Sequence, residues 1–292
     1  MPTSTTSLGG SHASTESQAR VRDPHPALSG WFQPGEHLPD LELLEQQRLA
    51  AQCADGIARP RISAQDPALL ADGFHYEARI AATGQLATRR DNAHDAFNAR
   101  AWARHPRLKW AINARQIADI AKVGSRQRTR GQCALTHFDE AGAIVWLADP
   151  ALLPAWDGHD WPVLFRANAA AWGRELGITV FGHAVLEHLW SGFALPVTKC
   201  VVVAVDAGLL AAHSDRHANV LWPVAEAAVA AEIVAGRLLA DPQELRPLPL
   251  AGIPGWHARG AQQDFFACTP CFQPVRAGRG YPAPWSLQLA ES

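Results

Sequence analysis

The sequence predicts an α+β fold: a mostly α-helical single domain with a small antiparallel β element and a Pro/Gly-rich C-terminal wrap. Three observations carry that prediction. Apolar residues recur at helical spacing in capped stretches, most plainly over residues 40–54, 92–122 and 219–240. The runs Ala134–Phe138 and Ala143–Leu147 flank the polar tip Asp139-Glu-Ala-Gly and read as a β-hairpin. Beyond Asp241, Pro and Gly recur too densely for long regular elements.

The chain has 292 residues, 48% of them hydrophobic and 18% charged. That composition is globular, and a chain of this size buries enough surface to fold without disulfide or metal staples. The globular domain is expected over residues 24–292. Residues 1–23 are rich in Ser, Thr and Gly and lack an apolar segment, so a disordered tail is expected there and not a secretory signal. No apolar run reaches the length of a membrane span. Five scattered cysteines fit reduced thiols and a cytoplasmic location.

Element by element, Asp40 can cap a helix to about Ala54, with Leu41, Leu44 and Leu49 facing inward. Tyr76–Ala82 fits helix or strand equally. Asp91 or Asn92 can cap the next helix; with Asn92 as the cap, Asp95 falls in its first turn, where an acid favours the exposed amides. Pro106 breaks that helix, and a second should follow from about Arg107 to Lys122. After the hairpin, Pro162 suits the first turn of a helix ending at Gly177. Ile178–Gly182 fits a short strand or a helix entry, His183–Leu189 a helix, and Val197–Asp206 a strand. Pro223 sits in the first turn of an Ala-rich helix over Asn219–Ala240. Trp256, Phe265 and Phe266 are expected to hold the C-terminal wrap to the domain.

Four segments carry a resemblance: HDAFNARAWARHPRLKWAIN, LTHFDEAG, FGHAVLEHL, and PLPLAGIPGWH followed by CFQPVR. In this order and spacing the chain resembles a bacterial family known only as domain of unknown function 3025. The resemblance spans roughly Arg89 to Arg276 and implies no activity. The chain departs from the family pattern at Gly131-Gln132.

The chemistry concentrates between Arg89 and Asn113. Residues 89–130 hold eleven basic and three acidic side chains, a charge of +8, which leaves −10 on the rest of the chain. Such an asymmetry points to an anionic partner, or to a helical surface paired with acids elsewhere. His94 and Asn98 lie four apart on one helix face, as do His183 and Glu187. If the two helices meet, His94, Asn98, His183 and Glu187 form a mixed nitrogen and oxygen site suited to zinc, manganese or iron. The alternative is a set of buried polar groups bonded to one another. The catalytic candidates are therefore His94, Asp95, His183 and Glu187. Arg90, Asn98 and Arg128 are the candidates for binding an anion, since guanidinium groups match phosphate oxygens in pairs. Asp139 and Glu140 fit an ordinary turn, and Cys268-Thr-Pro-Cys271 lacks the second pair a structural zinc needs. The leading functional expectation is a metal-dependent hydrolase acting on an anionic, phosphate-ester-like substrate. The rival is a non-catalytic module that binds nucleic acid or an acidic protein through residues 89–130.

Overall fold

A computed structural model describes residues 25–31, 36–213 and 223–287. The tail expected over residues 1–23 lies outside them, as do Phe32 and Asn219–Trp222. Asp40 accepts a hydrogen bond from the Leu43 amide to open α1 (Leu41–Asp55), and Gly56 closes it at φ 70°. Next come β1 (Arg61–Ala64) and the single turn α2 (Pro67–Leu70). The ambiguous stretch after it is helical, α3 (Tyr76–Thr83). β2 (Gln85–Thr88) then pairs in parallel with β1.

Asn92 caps α4 (Ala93–Arg104) by accepting from the Asp95 amide. Pro106 starts α5 (Pro106–Val123) at once, with His105 as the shared hinge residue. The hairpin is a correction: Ala134–His137 belongs to α6 (Arg130–Ala141), not to a strand. A reciprocal cap between Thr129 and Gln132 starts this helix, and Ala134, Leu135 and Phe138 bury at helical spacing. Gly142 then passes directly into β3 (Gly142–Leu147), so the expected turn is the last turn of a helix.

The chain continues through α7 (Leu153–Asp157). The helix expected from Pro162 to Gly177 does not form. Val163–Ala167 and Ala169–Ala171 are separate short turns, broken where the Asn168 side chain bonds the Val163 carbonyl. Gly177 lies inside β4 (Leu176–Val180), which resolves the next stretch as strand. α8 (His183–Trp190), β5 (Val197–Ala204), α9 (Ala207–His213) and α10 (Pro223–Ala235) follow. The wrap contains β6 (Arg246–Pro249), α11 (Phe265–Cys268) and β7 (Trp285–Ser286).

β4, β3, β5 and β6 lie side by side, with β7 also paired to β5. β3–β4 and β5–β6 are antiparallel, whereas β3–β5 and β5–β7 are parallel. Antiparallel pairing is thus present, and parallel pairing extends it into a mixed sheet. One face, with Val145, Ile178 and Val202, packs on Phe97 of α4, Val185 and Leu186 of α8, and Phe165 and Phe265. The other face, with Ile144, Trp146 and Val201, packs on Leu108 of α5, Phe138 of α6 and Val229 of α10. Ala96, Ala99 and Trp102 of α4 join α1, α3 and the two-stranded sheet in a third cluster. α4 is therefore held from two sides. Complete burial of a side chain such as Phe97 contributes about 1.5–3 kcal/mol, so its register is firmly set. Among the described residues no helix is long and apolar enough to cross a membrane.

Much of the basic charge between Arg89 and Arg130 is neutralised within the fold. Arg89 pairs with Asp95, Arg100 with Glu36, Lys109 with Asp139, Arg115 and Lys122 with Asp119, and Arg130 with Asp241. Arg104 donates to the Gly30 carbonyl.

Candidate metal centre

Three helices bring their polar ends together. α6 ends beside the start of α8 because two glycines allow it. The amides of Phe181 and Gly182 both donate to the Gly142 carbonyl, at 3.0 and 2.8 Å. A Cβ on Gly182 would lie 2.4 Å from the Gly142 nitrogen and 2.6 Å from the Ala141 backbone. This approach sets Asp139 and Glu140, in the last turn of α6, against His183 in the first turn of α8. α4 crosses α8 and supplies His94.

The resulting contacts are short. The imidazoles of His94 and His183 have centroids 4.6 Å apart, with their Nε2 atoms at 3.2 Å. A Glu140 carboxylate oxygen lies 3.6 Å from His183 Nε2 and 3.9 Å from His94 Nε2. Ligand atoms of His94, Glu140 and His183 all fall within 4.8 Å of one another. Two ligands about 2.1 Å from one ion at a tetrahedral angle are themselves about 3.4 Å apart, so the spacing suits a single first-row ion.

Carboxylates also stand behind both imidazoles. His94 Nδ1 lies 3.0 Å from a Glu187 carboxylate oxygen, which holds the proton on Nδ1 and leaves the Nε2 lone pair free. His183 Nδ1 faces the Asp139 carboxylate at 3.9 Å. His183 Nδ1 has no hydrogen-bond partner; in the tautomer that carries the proton there, two lone pairs and a carboxylate oxygen converge on one point. That arrangement repels itself unless a cation or a proton occupies the point.

The electrostatics point the same way. Two acids in the last turn of α6 oppose the helix dipole, whose C-terminal end is already negative. Lys109 compensates one of them, with its Nζ 2.6 Å from Asp139. Burial would raise Asp139, but the Lys109 ammonium and His183 outweigh it and hold the carboxyl below its ordinary range. Partial burial raises Glu140, and the charge on Asp139 adds to the rise. Burial pushes His183 down to about 3, so it is neutral and ready to donate its lone pair near pH 7.

The centre forms part of the wall of a cavity of about 490 Å³. Arg128 lines it and makes no ion pair among the described residues. Glu77 lines it too, raised by burial and bonded to Asn113.

The other sequence candidates are placed differently. Asn98 lines the same cavity, but its amide is taken up: it accepts from Lys109 at 2.8 Å and donates to the Tyr76 hydroxyl at 2.7 Å. Asp95 accepts from the backbone and guanidinium of Arg89. Arg90 does not line the cavity, whereas Arg89 does. Asp139 and Glu140, which the sequence suggests as an ordinary turn, lie in a helix beside the imidazoles, and Lys109 beside Asp139 was not singled out. Helical spacing over LTHFDEA was the available signal, since it puts Thr136, Asp139 and Glu140 on neighbouring positions of one face.

No curated protein and no solved structure matches the chain. One family model does, over residues 62–276, and that span includes every residue of the centre. The chain therefore belongs to the family described as Protein of unknown function (DUF3025).

Proposed function

We propose that the chain is a divalent-metal-dependent hydrolase acting on an anionic, phosphate-ester-like substrate. The observation that carries this reading is the convergence of His94 Nε2, His183 Nε2 and a Glu140 oxygen at a cavity wall. Two histidines and one carboxylate, with positions left open, form the donor set of hydrolytic zinc sites and of non-haem iron sites. A bound divalent ion supplies a water of lowered pKa and a Lewis acid for a phosphoryl oxygen.

The chain's own groups have separate parts in this reading. Glu187 orients His94 through Nδ1, and Asp139, held by Lys109, stands behind His183. Arg128 receives the substrate anion across the cavity. Glu77, raised by burial and bonded to Asn113, is a further carboxyl in the cavity wall.

Metal analysis of the purified chain, together with a panel of phosphomonoesters and phosphodiesters, tests the reading. The expected result is one zinc, manganese or iron ion per chain, lost on Glu140→Gln, and ester hydrolysis lost with it. Metal content unchanged by Glu140→Gln would overturn it. The same assays decide the rival reading, in which residues 89–130 bind nucleic acid. That reading requires salt-sensitive binding in a metal-free protein, and the internal pairing of six of those eleven cations weighs against it.

A further inference from the structure

A second cavity lies apart from the first, and the hydrolase reading makes no use of it. Its volume is about 460 Å³, and it sits between the β5–β6 edge and the C-terminal wrap. Lys199 of β5, His137 of α6, and Arg276, Arg279 and Tyr281 of the wrap line it. The two cavities share only α6, which presents His137 to this one and Thr136, Asp139 and Glu140 to the other. Cys271, Gln273, Pro274 and Arg276 form part of its wall.

The charge of this cavity is one-sided. Lys199, Arg276 and Arg279 face it, and among the described residues no carboxylate lines it. Nearby Arg246 is different, because Asp157 holds it at 2.7 Å. Among the described residues the other three make no ion pair, and Asp241 acts on Arg279 only at longer range. Burial, Arg276 and Arg279 all work against the Lys199 ammonium, so the cations strain one another. In a chain of net charge −2, a local excess of this kind is a stability cost that a bound anion would remove.

One of the cations is also held in place, and a second stands on a paired strand. Lys199 stands on β5, between β3 and β6, opposite Gly142 and Pro247. Arg279 donates to the Gln243 carbonyl at 2.7 Å, and its guanidinium lies over the Tyr281 ring at 4.4 Å. Arg246 lies 5.1 Å from the same ring centroid. Fixed donors lose little entropy when a ligand arrives. Arg276 is exposed and able to close on it.

We propose that this cavity binds a small phosphorylated molecule, with Lys199, Arg276 and Arg279 taking its phosphate oxygens. Guanidinium forks match phosphate in pairs, and an ammonium adds a compact charge between them. The site is independent of the metal centre and stands whether or not the hydrolase reading does.

Calorimetric titration of the full chain with pyrophosphate, at physiological salt, tests the assignment. A saturable step is expected. Lys199→Met and Arg276→Gln should each weaken it at least about tenfold, whereas Arg61→Gln, exposed and lining neither cavity, should leave it in place. Arg276 is exposed, so its variant reports on binding even if Lys199→Met fails to fold. Citrate, a multivalent carboxylate, should bind at least about tenfold more weakly than pyrophosphate. Absence of a saturable step, a step untouched by both substitutions, or citrate binding as tight as pyrophosphate would each overturn the proposal.

Discussion

His183 and His105 are buried to the same degree, at 3% and 2% exposure, and burial lowers the proton affinity of both. Their surroundings differ. His105 lies between Trp31 and Phe181, with ring centroids 5.5 and 5.7 Å away. Neither of its nitrogens has a hydrogen-bond partner, and the Glu226 carboxylate stands 3.9 Å off. It lines no part of the large cavity. His183 turns its Nε2 toward a second imidazole and a carboxylate at the cavity wall. Burial and a depressed pKa are therefore common to a core histidine and a candidate ligand. Convergence of lone pairs beside open space is what separates them.

The sharpest way to break this comparison is to remove each imidazole in turn. His183→Ala takes away one of three ligands, and metal affinity should fall by more than about a hundredfold, beyond the loss seen for an outer-shell partner. His105→Ala should leave the metal bound and destabilise the fold by roughly 2–4 kcal/mol, as a large-to-small change in a packed core. Metal analysis and thermal melting of both variants read the two effects. Equal metal loss in both would erase the distinction.

Gly182→Ala should convert the first environment toward the second. The added Cβ meets the backbone of Ala141 and Gly142, which cannot give way as a flexible side chain would. The expected cost is about 3 kcal/mol, with α8 pushed off α6 and His183 drawn away from Glu140. Denaturant unfolding measures the first effect and metal titration the second. A stable variant with full metal affinity would show that the close approach does not set the centre. A smaller effect is expected for Glu187→Gln, which keeps the shape but weakens the hold on His94 Nδ1. Metal affinity should drop by about 10–100-fold with the melting temperature nearly unchanged.

The legible part of the site was local. Asn92, Asp95 and Pro106 mark their helix ends in the sequence, and the His94 and His183–Glu187 faces follow from a period of 3.6. The missed part was either long-range or misread in period. Lys109 meets Asp139 thirty residues away, a pairing that no local pattern announces. Glu140 was hidden because Ala134–Phe138 fits β alternation as well as helix, and the deciding Thr129–Gln132 cap lies upstream. Asn98 has the right spacing from His94, but Tyr76 and Lys109 claim its amide. Arg90 does not line the cavity, whereas its neighbour Arg89 does, and Asp91 adopts φ 52° just after them. The fold class was legible because amphipathic helices and Val-rich strands outlast such local errors.

The smallest expected effect is on acid stability, and it separates the two histidines once more. Both are lowered in the folded state, while in the unfolded chain each titrates near about 6.5. Below that value the unfolded state binds more protons than the folded one. Stability must therefore rise with pH across the window and level off above it. For His183 the window extends down to about 3. For His105, burial opens the window and Glu226 narrows it from below. Each group can contribute a slope of up to about 1.4 kcal/mol per pH unit inside its window. In metal-free protein, both His105→Gln and His183→Gln should flatten the loss of stability between pH 6.5 and pH 5. With metal bound, protons compete with the ion at His183, so the acid loss should steepen and depend on metal concentration. His105→Gln should leave that metal-dependent part intact. Unfolding free energies measured across pH 5–7.5, with and without chelator, separate the two contributions. If His105→Gln also removed the metal dependence, the two buried imidazoles would be coupled, and the contrast between a core histidine and a ligand histidine would fail.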